Sequence, residues 1–315
     1  WALLAPEGQR GQPSAQLLVA AAQAARRVCF DHAVAAMAVN ASLVAAAGGD
    51  TPEIRAALLA GLLHDLGEIY IAPRFGEAEA DRELDFVSYQ QLVVHPHVGF
   101  LILKQLTQYP GVVAQAVAEH HERLDGSGYL RALVAKDISS LGKLLVVTEA
   151  TLNAVRDPYA GLLHASVALR AVPGEFDSGW AGKISRAANA QAPAQAVMET
   201  ADIQARLHAL DDVLAAAQRS ADALPAAGSS PELQRAAELA SFLIARLRTG
   251  WNESGLWGLQ VGDGVQAAEV EVVEDVLYHR LRGVQRATLL RAGTLVEPEH
   301  EQLAAFCDAL AMGSA

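Results

Sequence analysis

The chain has 315 residues, with 24 Lys and Arg set against 36 Asp and Glu, a formal charge of -12. A surface this acidic argues against binding a nucleic-acid polymer or an anionic membrane. Aromatic residues make up only 5 % while Ala, Leu and Val dominate, which favours an all-α fold over a β architecture.

Residues 1–13 carry Pro6, Gly8, Gly11 and Pro13 and are expected to be irregular; the first domain is placed from residue 20, leaving 1–19 as an irregular N-terminal segment. Apolar residues then recur at helical spacing from Ser14 to about Ala47 and stop at Gly48-Gly49. Thr51-Pro52-Glu53 reads as an N-cap with proline in the first turn, opening a helix that runs to His64-Asp65. Residues 73–85 are charged and poorly periodic, as expected of an exposed loop. Helices follow at about 86–95, 96–107 and 110–122, then a tight turn over Asp125–Tyr129 with two glycines. Further helices are expected at about 138–155 and 160–171, the latter broken at Pro173-Gly174.

Gln191–Ala194 and Leu224–Pro231 are the candidate linkers. Helical patterns at about 199–223, 231–250, 268–291 and 297–312 suggest a second, smaller helical unit, so the domains are placed at 20–195 and 196–315. Cys29 and Cys307 lie in separate apolar stretches and are expected to be buried free thiols. No apolar run reaches the ~18 residues of a membrane span and no signal peptide is visible, so the expectation is a soluble, cytoplasmic protein with no membrane role.

Five histidines and two carboxylates stand out against these apolar helices. His120-His121 is followed by Glu122-Arg123 and then Asp125-Gly126-Ser127-Gly128-Tyr129; upstream lie His32, His64-Asp65 and His95, and downstream lies Glu149. Imidazole and carboxylate without thiolate form the ligand set of hydrolytic Mn, Fe or Zn centres rather than of structural zinc. His64-Asp65 ends an apolar helix, where a charged doublet is costly to bury unless it is paired or coordinated; a helix cap with a hydrogen-bonded histidine would satisfy it equally. Neighbouring helical residues point about 100° apart, so His120 and His121 can address one site only from a helix end.

Taken together, these residues resemble the HD-domain superfamily, specifically its HD-GYP branch of bacterial signalling phosphodiesterases. The resemblance covers roughly residues 20–190. It rests on Phe30-Asp31-His32, His64-Asp65-Leu66-Gly67, His95-Pro96-His97-Val98-Gly99, the run from His120 to Tyr129, and Gly174-Glu175-Phe176-Asp177. It implies an all-α HD-domain helical bundle, here with an additional C-terminal helical unit. It also implies two divalent metal ions, Fe or Mn, one held by His32, His64 and a carboxylate and the other by His95, His120 and His121, with Asp65 bridging. A metal-bridged hydroxide would attack the phosphodiester of a cyclic dinucleotide, cyclic di-GMP foremost, with Tyr129 and Arg123 shaping the pocket.

The chain departs from that pattern at several points. The family's last ligand is an Asp; counting forward from Tyr129 gives Glu149, whereas counting back from Asp157-Pro158-Tyr159 gives Thr148, and Glu149 is preferred because it keeps a carboxylate. Val28 stands where members with a third metal carry Glu, so a trinuclear centre is not expected. Glu68 replaces a lysine that meets the phosphate, Asp157-Pro158-Tyr159-Ala160 replaces Arg-Pro-Tyr-Lys, and Leu130 replaces the signature proline. Carboxylates beside an anionic ligand are repulsive, with Arg123, Arg131, Arg156 and Lys143 as candidate compensators.

Two other readings stay open: a catalytically degenerate sensor or scaffold, acting through a regulatory protein partner or a homodimer, and a hydrolase of another nucleotide phosphoester. His97, His164, His208, His279 and His300 are expected at the surface, as is an Arg-bearing face over 235–248. Gly262-Asp263-Gly264 reads as a turn, and Trp251 and Trp257 as core or interface anchors.

Overall fold

The computed structural model describes residues 12–71, 92–155, 161–190, 200–224, 228–253, 264–291 and 295–312. Regular structure among them is helical, as the composition implied: twelve α-helices and one 3-10 segment. The loop expected at 73–85, the Asp157–Ala160 replacement with Arg156, the Gln191–Ala194 linker and Trp257 lie outside the described residues. The chain forms two compact units, Trp1–Arg156 with Gly174–Ile184, and Asp157–Pro173 with Ser185–Ala315.

The first unit is built from α1 (Pro13–Ala25), α2 (Arg27–Ala46), α3 (Thr51–Leu63), a 3-10 segment (His64–Tyr70), α4 (His95–Leu106), α5 (Gly111–Glu119), α6 (Ser140–Ala154) and the start of α8 (Ser178–Asn189). Pro13 opens α1, where its missing N–H is no loss. Residues 13–19 are therefore helical, which corrects the irregular segment expected there. The cap of α3 is Asp50, one residue before the Thr51 expected from the sequence. Asp50 and Glu53 exchange side-chain-to-backbone hydrogen bonds, each 2.9 Å, in a reciprocal capping box. Helix α8 was not anticipated; Asp177 starts it by accepting from the backbone N–H groups of Gly179 and Trp180.

Helix α2 packs against α3 and α6, and α4 packs against the 3-10 segment and α5. Leu59, Leu63, Leu66, Leu103, Val113, Val117 and Leu145 form the core between them, each fully buried Leu stabilising the fold by about 1.5–3 kcal/mol. Helix α2 is long and apolar enough by composition to cross a membrane. In this unit its inward positions carry Asn40, which donates to Ala57 O and accepts from Thr148 Oγ1 in a fully buried polar link.

The second unit comprises α7 (Leu162–Ala168), the end of α8, α9 (Thr200–Ala223), α10 (Pro231–Glu253), α11 (Gly264–Arg291) and α12 (Glu297–Met312). Its core joins Leu210, Leu214, Leu233, Ile244, Leu247, Leu281, Leu303 and Trp251, which resolves Trp251 as a core anchor. Arg246, expected on a solvated face, instead donates to the Pro173 carbonyl. Both cysteines are buried free thiols.

Candidate metal centre

Five chain segments bring the seven residues singled out in the sequence to one place in the first unit. His32 comes from α2, while His64 and Asp65 stand at the junction of α3 and the 3-10 segment. His95 opens α4, His120 and His121 follow the end of α5, and Glu149 lies inside α6. The adjacent pair works from a helix end, as its spacing required. His64, Asp65, His95, His120, His121 and Glu149 are all buried, and His32 keeps 13 % of its side chain exposed.

Close backbone approach sets the register. A Cβ on Gly67 would overlap the His95 carbonyl, so only glycine lets the 3-10 segment lie against the start of α4 and bring Asp65 beside His95. The switch from α-helix to 3-10 at His64 tightens the turn and aims His64 and Asp65 into the same space.

The side chains sort into two groups. His32, His64 and Glu149 offer ligand atoms within 4.8 Å of one another, and so do His95, His120 and His121. Asp65 lies between them. Its Oδ2 is 3.1 Å from His64 Nε2 and 3.8 Å from His32 Nε2; its Oδ1 is 3.5 Å from His95 Nε2 and 3.6 Å from His120 Nε2. Glu149 Oε2 is 2.9 Å from His32 Nε2 and 3.3 Å from His64 Nε2. Thr148, the alternative at this point of the chain, faces Asn40 instead, its Oγ1 donating over 2.5 Å.

Three rings have their tautomer fixed by backbone. The Nδ1 of His64, His95 and His120 meets the carbonyl three residues earlier, Gly61, Leu92 and Val117, at 2.7, 2.7 and 2.6 Å. A carbonyl only accepts, so each Nδ1 carries a proton and each Nε2 is turned inward, the orientation a metal-binding imidazole needs. His64 Nε2 and Asp65 Oδ1 are buried with no hydrogen-bond partner, and His95 Nε2 faces His120 Nε2 at 3.0 Å. Imidazole nitrogens and carboxylate oxygens converging in a dry site need protons or a metal ion between them. These residues therefore fit divalent metal.

Electrostatics separate the groups. Burial disfavours charge on His32 and His64, but Glu149 and Asp65 outweigh it and raise both above the ordinary histidine value. Burial and the neighbouring His121 push His120 down to about 3, and burial with His95 holds His121 well below the ordinary value. Asp65 and Glu149 resist burial because the facing imidazoles hold their carboxyls well below the usual range.

Cys29, Asp65 and Glu68 form a third cluster, but its chemistry differs. Glu68 Oε2 already pairs with Arg26 Nη2 at 3.2 Å, and burial, Asp65 and Glu68 push the Cys29 thiol well up. The residue standing at the expected lysine position is thus a neutralised, fully buried carboxylate.

The loop after the histidine pair is tied to it. Tyr129 N–H donates to His121 O over 3.0 Å, and its ring stacks on His121 at 4.7 Å and 18°. Arg123 pairs with Glu175 at 3.2 Å and sits 5.2 Å over the Phe176 ring, which ties the loop after the histidine pair to Gly174–Asp177. Sequence reasoning missed three supports: Glu122, which accepts from the N–H groups of Arg131 and Leu133 at 2.8 Å each; Glu119, which accepts from Ser139 N and Oγ; and Asn153, which donates to Glu149. Their adjacency to the ligand candidates, or the i,i+4 spacing in the case of Asn153, was the available signal. His97, His208, His279 and His300 are exposed, while His164 is half-buried and 3.9 Å from Asp275.

Comparison with known proteins agrees with this geometry. Residues 15–173 match the HD domain, and the chain belongs to that family. It is also similar to cyclic di-GMP phosphodiesterase PA4108 of Pseudomonas aeruginosa, at 29 % identity over 170 residues. The alignment covers 52 % of this chain and 40 % of the relative, so the chain spans well under two thirds of that protein's length.

Proposed function

We propose that this chain is a metal-dependent phosphodiesterase of the HD-GYP branch, hydrolysing a cyclic dinucleotide, with cyclic di-GMP as the leading substrate. Two divalent ions, Fe or Mn, would be held by His32, His64 and Glu149 and by His95, His120 and His121, with Asp65 shared. The observation that carries the reading is Asp65 itself, whose two oxygens face different histidine groups. The ions would supply an activated water and neutralise charge developing on the phosphoryl group. The protein's part is to turn the Nε2 atoms of His64, His95 and His120 inward on rings held by backbone carbonyls, to keep the centre dry, and to close one wall with Tyr129 on His121. The catalytic role is assigned to the first compact unit, Trp1–Arg156 with Gly174–Ile184, which carries all seven residues.

The substrate class draws on the relative's name; a different phosphoester is favoured by Glu68, a carboxylate where the resemblance expects a phosphate-binding lysine. The deciding experiment is hydrolysis of cyclic di-GMP by protein reconstituted anaerobically with Fe(II) or Mn(II), followed by chromatography beside an Asp65→Ala control. Turnover lost in the control is expected. Two bound ions without turnover would redirect the assignment to other phosphoesters, and absence of both would leave a degenerate binding module.

A further inference from the structure

Glu149 stands where the resemblance places the shorter aspartate, so its carboxylate has one more rotatable bond to immobilise. The structure shows how that arm is held. Asn153, one helical turn later on α6, donates from Nδ2 to Glu149 Oε1 over 2.7 Å. The opposite oxygen, Oε2, then lies 2.9 Å from His32 Nε2 and 3.3 Å from His64 Nε2. His64, His95 and His120 are oriented by backbone carbonyls; the Glu149 carboxylate receives its support from this side chain.

We propose that Asn153 is a positioning residue for the His32–His64–Glu149 subsite, holding Glu149 so that it presents Oε2 alone to the metal. The inference rests on the metal-centre reading above. Its chemistry follows from the donor. A neutral amide occupies Oε1 without removing the carboxylate's charge, whereas a cation there would weaken the ligand and a carboxylate would repel it. With Oε1 occupied, chelation through both oxygens is disfavoured, and the extra methylene of Glu no longer leaves the arm free. Asn153 is half-buried on a helix whose core-facing side is formed by other residues, so replacing it by Ala, a stronger helix former, preserves the fold.

The test uses the full chain, stripped of metal and titrated with Mn(II) alone by calorimetry and electron paramagnetic resonance. Asn153→Ala is expected to weaken one of two ions about 10–100-fold while the other changes less than about twofold, and Asn153→Gln, which keeps a donor, to recover most of the loss. In a Glu149→Gln background, Asn153→Ala should add no further loss, because the partner it acts through is already disabled. Unchanged Mn(II) affinity in Asn153→Ala, beside a lost ion in Glu149→Gln, would overturn the positioning role and leave the centre standing. Equal weakening of both ions with a lowered Tm would also overturn it, by showing a structural role. Wild-type affinity in Glu149→Gln would remove the subsite itself, and the proposal with it.

Discussion

His95 and His120 face each other through Nε2 atoms 3.0 Å apart while each Nδ1 is engaged by a backbone carbonyl. Burial keeps His120 uncharged, so its Nε2 offers a lone pair to the space it shares with His95. A divalent ion held by both nitrogens would stabilise the folded state over the unfolded one. Adding Mn(II) at about 100 times its dissociation constant should stabilise the protein by roughly 2.7 kcal/mol per ion. For a unit of this size that raises Tm by roughly 5–10 °C per ion, read by differential scanning calorimetry before and after chelation.

Asp65 and Glu149 should differ in the number of ions each controls. Asp65 faces both histidine groups, while Glu149 lies between His32 and His64 alone. Asp65→Ala is expected to lose both ions and Glu149→Gln only one, by elemental analysis of purified protein. Loss of a single ion in Asp65→Ala would sink the bridging role.

Acid should empty the two subsites in order. His32 and His64 are raised above the ordinary histidine value by Glu149 and Asp65 against the opposing effect of burial, so a metal entering there competes with protons. Burial holds His120 down at about 3 and His121 well below its ordinary value, so a metal joining those two rings displaces no proton from them. Affinity at the first subsite falls as pH drops below the raised histidine values, by about tenfold per unit for each displaced proton, while the second holds to lower pH. Mn(II) titrations at successively lower pH should show the affinity of the His32–His64 subsite falling before the other.

The Arg26–Glu68 pair should behave as a buried ion pair and not as part of the reacting centre. Its side chains are 8 % and 0 % exposed, and Arg26 also donates to the carbonyls of Glu68 and Ile71. Arg26→Ala leaves a buried carboxylate without its cation and should destabilise by about 3–5 kcal/mol, whereas Arg26→Met with Glu68→Leu should recover most of it. Urea unfolding measures both. Equal loss in the single and double variants would contradict the pairing account.

The sequence by itself determined the helical class, through Ala, Leu and Val at 3.6-residue spacing, and most helix positions after residue 199. It determined the ligand candidates too, because five histidines and two carboxylates on apolar segments have few other physical uses. Local signals misplaced the start of α1 and the cap of α3 and missed α8. The first two differ from the reading by a few residues, within reach of proline and capping competition, while α8 begins at an Asp177 cap that the sequence reading passed over. The choice of Glu149 over Thr148 belonged to the tertiary structure, since both lie on α6 and only the surroundings show Thr148 turned to Asn40. So did the pairing of Glu68 with Arg26, the engagement of Arg123 by Glu175, and the brace from Asn153. A chemical type can be read from a residue's identity, but the direction of a side chain and its partner are set by helix packing, which joins residues as far apart as His32 and Glu149.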